Sequence, residues 1–444
     1  MVNVSRKTLQ VAKRAGYFGK KMYMQALKAK EEGKPIAWSM VTYSPADLIL
    51  KALDVEILYP ENYGAFCASR LMAEQYLKHS DAEGFPTSLC GYARNGIGYT
   101  KVFSDNNFII PENAPGGGMA KPIVLVGSGI LCDTRYKWFQ ALRKYLDVPL
   151  FILENPQPGV EESFLKGAKK YNIEFMANEC RKFIMFMEEL LGRKMDLDRL
   201  EELASTFEKT LRLAHKIDLV RTAVPSPMLG QDFYSCMLPS FYMASDPEAP
   251  AFFEELYKEV KYRADNKIGA IPNEKYRVIF AEIPPWHTMN FFDDLADEFG
   301  IAVVMEGYAY HFNTPPNEED LGNSKDIIER ICKWSYQHFT ANMNKEARDM
   351  GVAPAVPQIY MNWAKDYKID GAIFHTLLSC RPAGYTMLHA GNLLRERMKI
   401  PSVFIEGDMV DLRVFDVKAA KDRIAAFRET MDYYRELREN IKQE

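Results

Sequence analysis

No two cysteines in this 444-residue chain stand close enough to make a zinc-type pair; the seven, at 67, 90, 132, 180, 236, 332 and 380, are scattered singly. That scatter excludes a zinc finger, a C-x2-C cluster motif and the dense disulfide framework of a small secreted domain. There is no P-loop, so the chain does not itself hydrolyse ATP by that route. His287, His375 and His389 form no H-E-x-x-H or similar metal pattern. No Lys/Arg-rich run occurs and the net charge is −4, which argues against a nucleic-acid partner. No apolar stretch approaches the ~20 residues needed to span a bilayer, and the N-terminus, MVNVSRKTLQVAKRAGYFGK, lacks a signal peptide's apolar core. A cytosolic location with no membrane contact is therefore expected. In a reducing compartment, an odd number of cysteines points to free thiols or metal ligands.

What remains is ordinary for a globular protein: 47% hydrophobic and 26% charged residues, at a length suited to two or three domains. Residues 1–34 read as a helix rich in Lys, Ala and Met. PIAWSMV follows as a strand, SPADLILKALD as a helix capped by Ser44, VEILYP as a strand and ENYGAFCASRLMAEQYLKHS as a long helix. TSLCGYARNGIGYT crowds glycines, a cysteine and an arginine into a loop and helix start. IVLVGSG is a buried strand, Asp133 and Thr134 offer caps for the helix TRYKWFQALRKYLD, and VPLFILENP is another strand, completing a βαβ unit.

From about 160 to 265 the pattern is helical. After 270, strands KYRVIFAEI, IAVVMEG, GAIFHTLLS and PSVFIEGD alternate with helices, including a long one in 324–350 and a last one from Val417. The fold class is thus α/β: two Rossmann- or flavodoxin-like parallel-sheet domains, at 1–160 and 271–444, with an intervening helical segment at 161–270.

Ligands of open α/β sheets bind beyond the carboxyl ends of the strands. Those ends present Cys132 after GSGIL, Cys380 after AIFHTLLS, Glu61 after EILYP, Tyr308 and Tyr310 after VVMEG, and Glu406 with Asp408 after SVFI. Cys90 lies in the glycine-containing loop, and glycines 91, 96, 98, 127 and 129 would let backbone approach a bulky group. Three thiolates around an iron–sulfur cluster leave one iron open to water or substrate. Position alone leaves two readings of Cys90, Cys132 and Cys380: cluster ligands, or thiols that behave as small buried hydrophobes. Cys67, Cys180 and Cys332 fall within helical patterns and read as core, and Cys236 favours packing. His375, in an apolar strand five residues before Cys380, reads as a satisfied core histidine or one bonded to a metal ligand, in preference to a ligand itself. Tyr63, Phe66, Trp138, Trp286, Tyr308 and Tyr310 would line an apolar substrate cavity or, as such residues usually do, fill core.

At these positions the chain resembles a known family. WS (38–39), ILYPENYGA (57–65), LCGYARNGIGY (89–99), CDTRYKWF (132–139), FHTLLSC (374–380) and FIEGDMVDLR (404–413) are similar, in order and approximate spacing, to the 2-hydroxyacyl-CoA dehydratase/benzoyl-CoA reductase family. The resemblance implies a [4Fe-4S] cluster, its nuclearity open, on Cys90, Cys132 and Cys380, with Glu61 and Ser39 near the substrate or the open iron. Beside it stand plainer roles: a helix N-terminal acid for Glu61 and a backbone-bonded strand hydroxyl for Ser39. It further implies an acyl-CoA thioester substrate, a second related subunit, and a separate ATP-hydrolysing iron–sulfur activator that supplies a low-potential electron. In that chemistry one electron turns the thioester carbonyl into a ketyl, hydroxide leaves C2, the C3 proton becomes acidic, and the electron returns. EKYRVIFAEIPPWH (274–287) is more reductase-like, CGYARNGIGY more dehydratase-like. The expectation is the iron–sulfur subunit of a 2-hydroxyacyl-CoA dehydratase. The alternatives are a subunit of ATP-dependent benzoyl-CoA reductase, or a cluster-bearing electron-transfer partner subunit.

Overall fold

Eight short runs of apolar and β-branched residues make the framework in the computed structural model, which describes residues 3–40, 45–129, 132–156, 165–308, 315–316, 318–322, 324–340 and 356–443. Strands β1 (Ile36–Ser39), β2 (Glu56–Leu58), β3 (Val124–Gly127) and β4 (Leu150–Ile152) form one parallel sheet in the order β2-β1-β3-β4. Strands β5 (Tyr276–Ala281), β6 (Ile301–Glu306), β7 (Gly371–Leu377) and β8 (Ser402–Gly407) form a second, in the order β6-β5-β7-β8. Every residue of β1, β3, β5 and β6 is buried, as expected of parallel strands covered on both faces. The α/β class with two parallel sheets is therefore as read from the sequence.

Each sheet reverses its winding at one place, between β1 and β3 and between β5 and β7. The loops beyond those strand ends diverge there and leave a crevice. Between the two sheets in sequence lie the long helices Ala168–Leu191, Leu197–Val220 and Ala249–Asp265. Asp196 caps the second of these, accepting from the N–H groups of Asp198 and Arg199. One continuous buried apolar cluster runs through both sheets and these helices. Arg221, fully buried, ties the middle helix to the end of β6 by pairing with both oxygens of Glu306.

Three local readings are corrected. Helix α1 covers Gly16–Glu31 rather than 1–34. Upstream of it, backbone N–H groups bond carboxylates elsewhere: Arg6 to Asp293, Thr8 to Asp232, and Gln10 and Val11 to Glu259. Those tertiary bonds replace the helical ones. Glycines 96 and 98 belong to a helix, α5 (Gly91–Asp105), not a loop. A Cβ on Gly98 would overlap the Tyr76 carbonyl of helix α4 (Ala73–Ala82), so the residue serves helix–helix approach. The N-cap of helix α6 (Asp133–Leu146) is Cys132 itself, without a side-chain cap. Ser44, Tyr310 and residues 341–350 of the expected helix lie outside the described residues.

Candidate functional site

The three cysteines singled out by position share one local geometry. Cys90 is the N-cap of α5, Cys132 the N-cap of α6, and Cys380 the N-cap of the helix Arg381–Met398. A helix N-terminus offers unpaired N–H groups and positive potential, which favour a thiolate. The N–H groups of Ala93, Arg135 and Ala383 are directed at the three sulfurs. Cys90, Cys132 and Cys380 are half-buried, whereas Cys67, Cys180, Cys236 and Cys332 are fully buried, and the Cys180 and Cys332 sulfurs touch at 3.7 Å.

Residues flanking the three cysteines bond one another across 248 and 288 positions of sequence. The Gly91 N–H donates to Ser379 Oγ at 3.1 Å, and Ser379 in turn donates to Asp408. Asp408 is fixed by the N–H groups of Val410 and Asp411, at 2.8 and 2.9 Å. On the other side Arg381 pairs with Asp133 at 2.7 Å. Below them Arg94, 1% exposed, joins Asp81 to Asp411. The ends of both sheets are thus stitched together around the three thiols.

Electrostatics reflect that convergence. Burial pushes the Cys90 thiol well above its ordinary range, and Cys380, Asp408 and Cys132 add to the shift. Cys380 is pushed up to about 12, by burial first and then by Glu282, Cys132 and Asp408. Burial also raises Cys132, against the pull of Arg135. Left alone, such thiols hold their protons; a bound cation would displace them. Among the described residues no three His, Cys, Asp or Glu side chains could hold a single metal ion. A cluster places its cysteine ligands on separate irons, further apart than the ligands of one ion. Three cysteines on three helix N-termini form a donor set suited to such a cluster.

Next to them opens a largely apolar cavity of about 770 Å³. Glu61, in the first turn of helix α3 (Pro60–Ser69), lines it and accepts from Arg135 Nη2 at 2.7 Å. Arg135 is one turn past Cys132; its Nη1 is buried without a hydrogen-bond partner. Tyr92, two residues past Cys90, lines the same cavity, with Trp286 and Tyr308. Ser39 is placed differently. Its hydroxyl, 1% exposed, donates to Asp47 at 2.9 Å, and Tyr59 donates to the other Asp47 oxygen. Glu406 is exposed at the end of β8, while Tyr63 and Trp138 are core. His375 is buried, its Nδ1–H donating to the Ile283 carbonyl.

The sequence matches the family "2-hydroxyglutaryl-CoA dehydratase, D-component" over residues 42–431. The chain belongs to this family. Among its curated relatives, the (R)-2-hydroxyisocaproyl-CoA dehydratase alpha subunit of Clostridioides difficile is 24% identical, with 94% of each chain covered. The (R)-phenyllactyl-CoA dehydratase alpha subunit of Clostridium sporogenes is 25% identical over 91% of this chain and 92% of its own. A benzoyl-CoA reductase subunit of Thauera aromatica is also 25% identical, over 93% and 92%. This family member has no helix, among its described residues, long and apolar enough to cross a membrane.

Arg135, Tyr92 and the Ser379–Asp408 link were not singled out from sequence. Arg135 lay within the motif CDTRYKWF, but its partner Glu61 is 74 residues away.

Proposed function

We propose that this chain is the iron–sulfur subunit of an activator-dependent 2-hydroxyacyl-CoA dehydratase of the cytoplasm, working beside a second, related subunit. The observation that carries the reading is the meeting of three half-buried cysteines, on three helix N-termini, beside an apolar cavity that exposes one carboxylate, Glu61. A cluster held by Cys90, Cys132 and Cys380 would supply one electron to the thioester and recover it at the end, making loss of water redox-neutral.

The protein's own groups do the rest. The cavity is large enough for an acyl-pantetheine arm. Lys20 and Arg70, exposed on its lining, provide positive charge where CoA phosphates would emerge. Glu61 takes the proton from C3 after hydroxide has left C2 and that C–H has become acidic. Arg135 holds that carboxylate in place. Ser39 acts through Asp47 and Tyr59, as a support for the end of β1.

A second reading, a subunit of ATP-dependent benzoyl-CoA reductase, is favoured by the likeness to the Thauera chain and by the aromatic cavity. A purely electron-transferring role fits less well, because such a subunit needs no cavity of this size. The test is turnover by the anaerobic complex with its activator and ATP. Formation of enoyl-CoA from a 2-hydroxyacyl-CoA, lost in Glu61→Gln, supports the dehydratase. Reduction of benzoyl-CoA with no dehydration overturns it.

A further inference from the structure

Four aromatic side chains from four separate elements enclose the part of the cavity next to Glu61. Tyr92 comes from the first turn of α5, Tyr234 from the helix Gly230–Met237, Trp286 from the turn after β5, and Tyr308 from just beyond β6. Trp286 stands edge-to-face with Tyr234, centroids 5.8 Å apart at 78°, and with Tyr308, 6.4 Å apart at 69°. Its indole N–H donates to the Tyr92 hydroxyl, and Tyr308 is hydrogen-bonded to Tyr92 as well. The Trp286, Tyr92 and Tyr308 polar groups are thus engaged with one another and the Tyr234 hydroxyl is buried, so ring carbon is most of what the wall offers a ligand.

Charge is correspondingly scarce beside the rings. Arg135 is paired with Glu61. Lys7, a cation of the lining, is bonded to Ser5 Oγ at 2.9 Å and to the Gln231 carbonyl at 2.7 Å, with Asp232 nearby. A carboxylate on the acyl chain would lose its water among the rings and find the Lys7 ammonium already donating to two neutral oxygens.

We propose that the acyl group this cavity selects is an uncharged aryl or arylalkyl group, seated between Trp286 and tyrosines 92, 234 and 308. The proposal rests on the CoA-thioester reading above and narrows it to a substrate class. An aryl ring gains edge-to-face contacts with this box that an aliphatic chain of the same length does not, and a charged chain adds a desolvation penalty.

The test is calorimetric titration of the full-length, anaerobically purified chain with CoA, 2-hydroxy-3-phenylpropanoyl-CoA and 2-hydroxyglutaryl-CoA. The phenyl thioester is expected to bind about tenfold or more tightly than the glutaryl one. Trp286→Leu is expected to bring that ratio near one. Tyr308→Leu, on a separate element, provides the same readout should the tryptophan variant fail to fold. Equal affinities, or tighter binding of 2-hydroxyglutaryl-CoA, overturn the aryl assignment while leaving the thioester reading in place. Absence of binding by CoA and both thioesters overturns the thioester reading and the aryl assignment with it.

Discussion

Replacing Gly91 by alanine tests how closely the two sheets' strand ends approach at the cysteines. A Cβ on Gly91 would overlap Asp408 Oδ1 and lie 3.0 Å from Val410 Cβ. Asp408 cannot swing aside, because that same oxygen accepts from the N–H groups of Val410 and Asp411 and the residue is 2% exposed. Helix α5 must therefore retreat, and the Gly91 N–H loses Ser379. Overpacking of this kind costs about 1–3 kcal/mol, and the lost hydrogen bond about 1 kcal/mol more. Gly91→Ala should thus lower stability by about 2–4 kcal/mol, read as a fall in the urea midpoint at constant slope. Gly384→Ala is the control, since it sits in the helix after Cys380 with nothing within 4 Å of its added Cβ. It should be neutral, or stabilising by up to about 1 kcal/mol. A Gly91→Ala protein as stable as wild type would refute the close approach of α5 to the 408–410 loop.

Arg135→Met should destabilise by about 3 kcal/mol, because it strands Glu61 in a pair whose side chains are only 8% and 11% exposed. Adding Glu61→Gln should recover part of that loss, and additivity within about 0.5 kcal/mol in the double-mutant cycle would contradict the pairing. Burial lowers His375 to about 4 from the usual 6.5, so the unfolded chain takes up a proton that the folded one refuses as pH falls through that window. Its contribution is complete above pH 6.5 and lost below. The stability advantage of wild type over His375→Asn should shrink by about 2 kcal/mol between pH 8 and pH 5. An unchanged difference would show that the imidazole is not held neutral.

All eight strands were legible as apolar runs bounded by turns, most plainly those buried on both faces, such as IVLVGSG and GAIFHTLLS. Cys132 and Cys380 were legible as strand-end residues for the same reason, and Cys90 stood out by its glycine-rich setting. What joins the three was not. The Gly91–Ser379–Asp408 chain links residues 288 positions apart, and nothing local marks a serine hydroxyl as its middle member. The glycines of CGYARNGIGY suggested a loop since glycine weakens helices. Here α5 gains more from pressing its backbone against α4 than it loses in propensity. Ser39 shows the opposite limit: a motif named it, yet its hydroxyl is satisfied by Asp47, eight residues on.

The central claim, that Cys90, Cys132 and Cys380 hold one iron–sulfur cluster, is tested most directly by counting iron and acid-labile sulfide in anaerobically purified protein. Wild type and single Ser variants at the three positions would be compared with Cys236→Ala, which alters a buried thiol. The account predicts about four irons and four sulfides per chain in wild type and in Cys236→Ala, and their loss in each of the three Ser variants. Wild-type protein without iron, or iron retained when these cysteines are replaced, would contradict it.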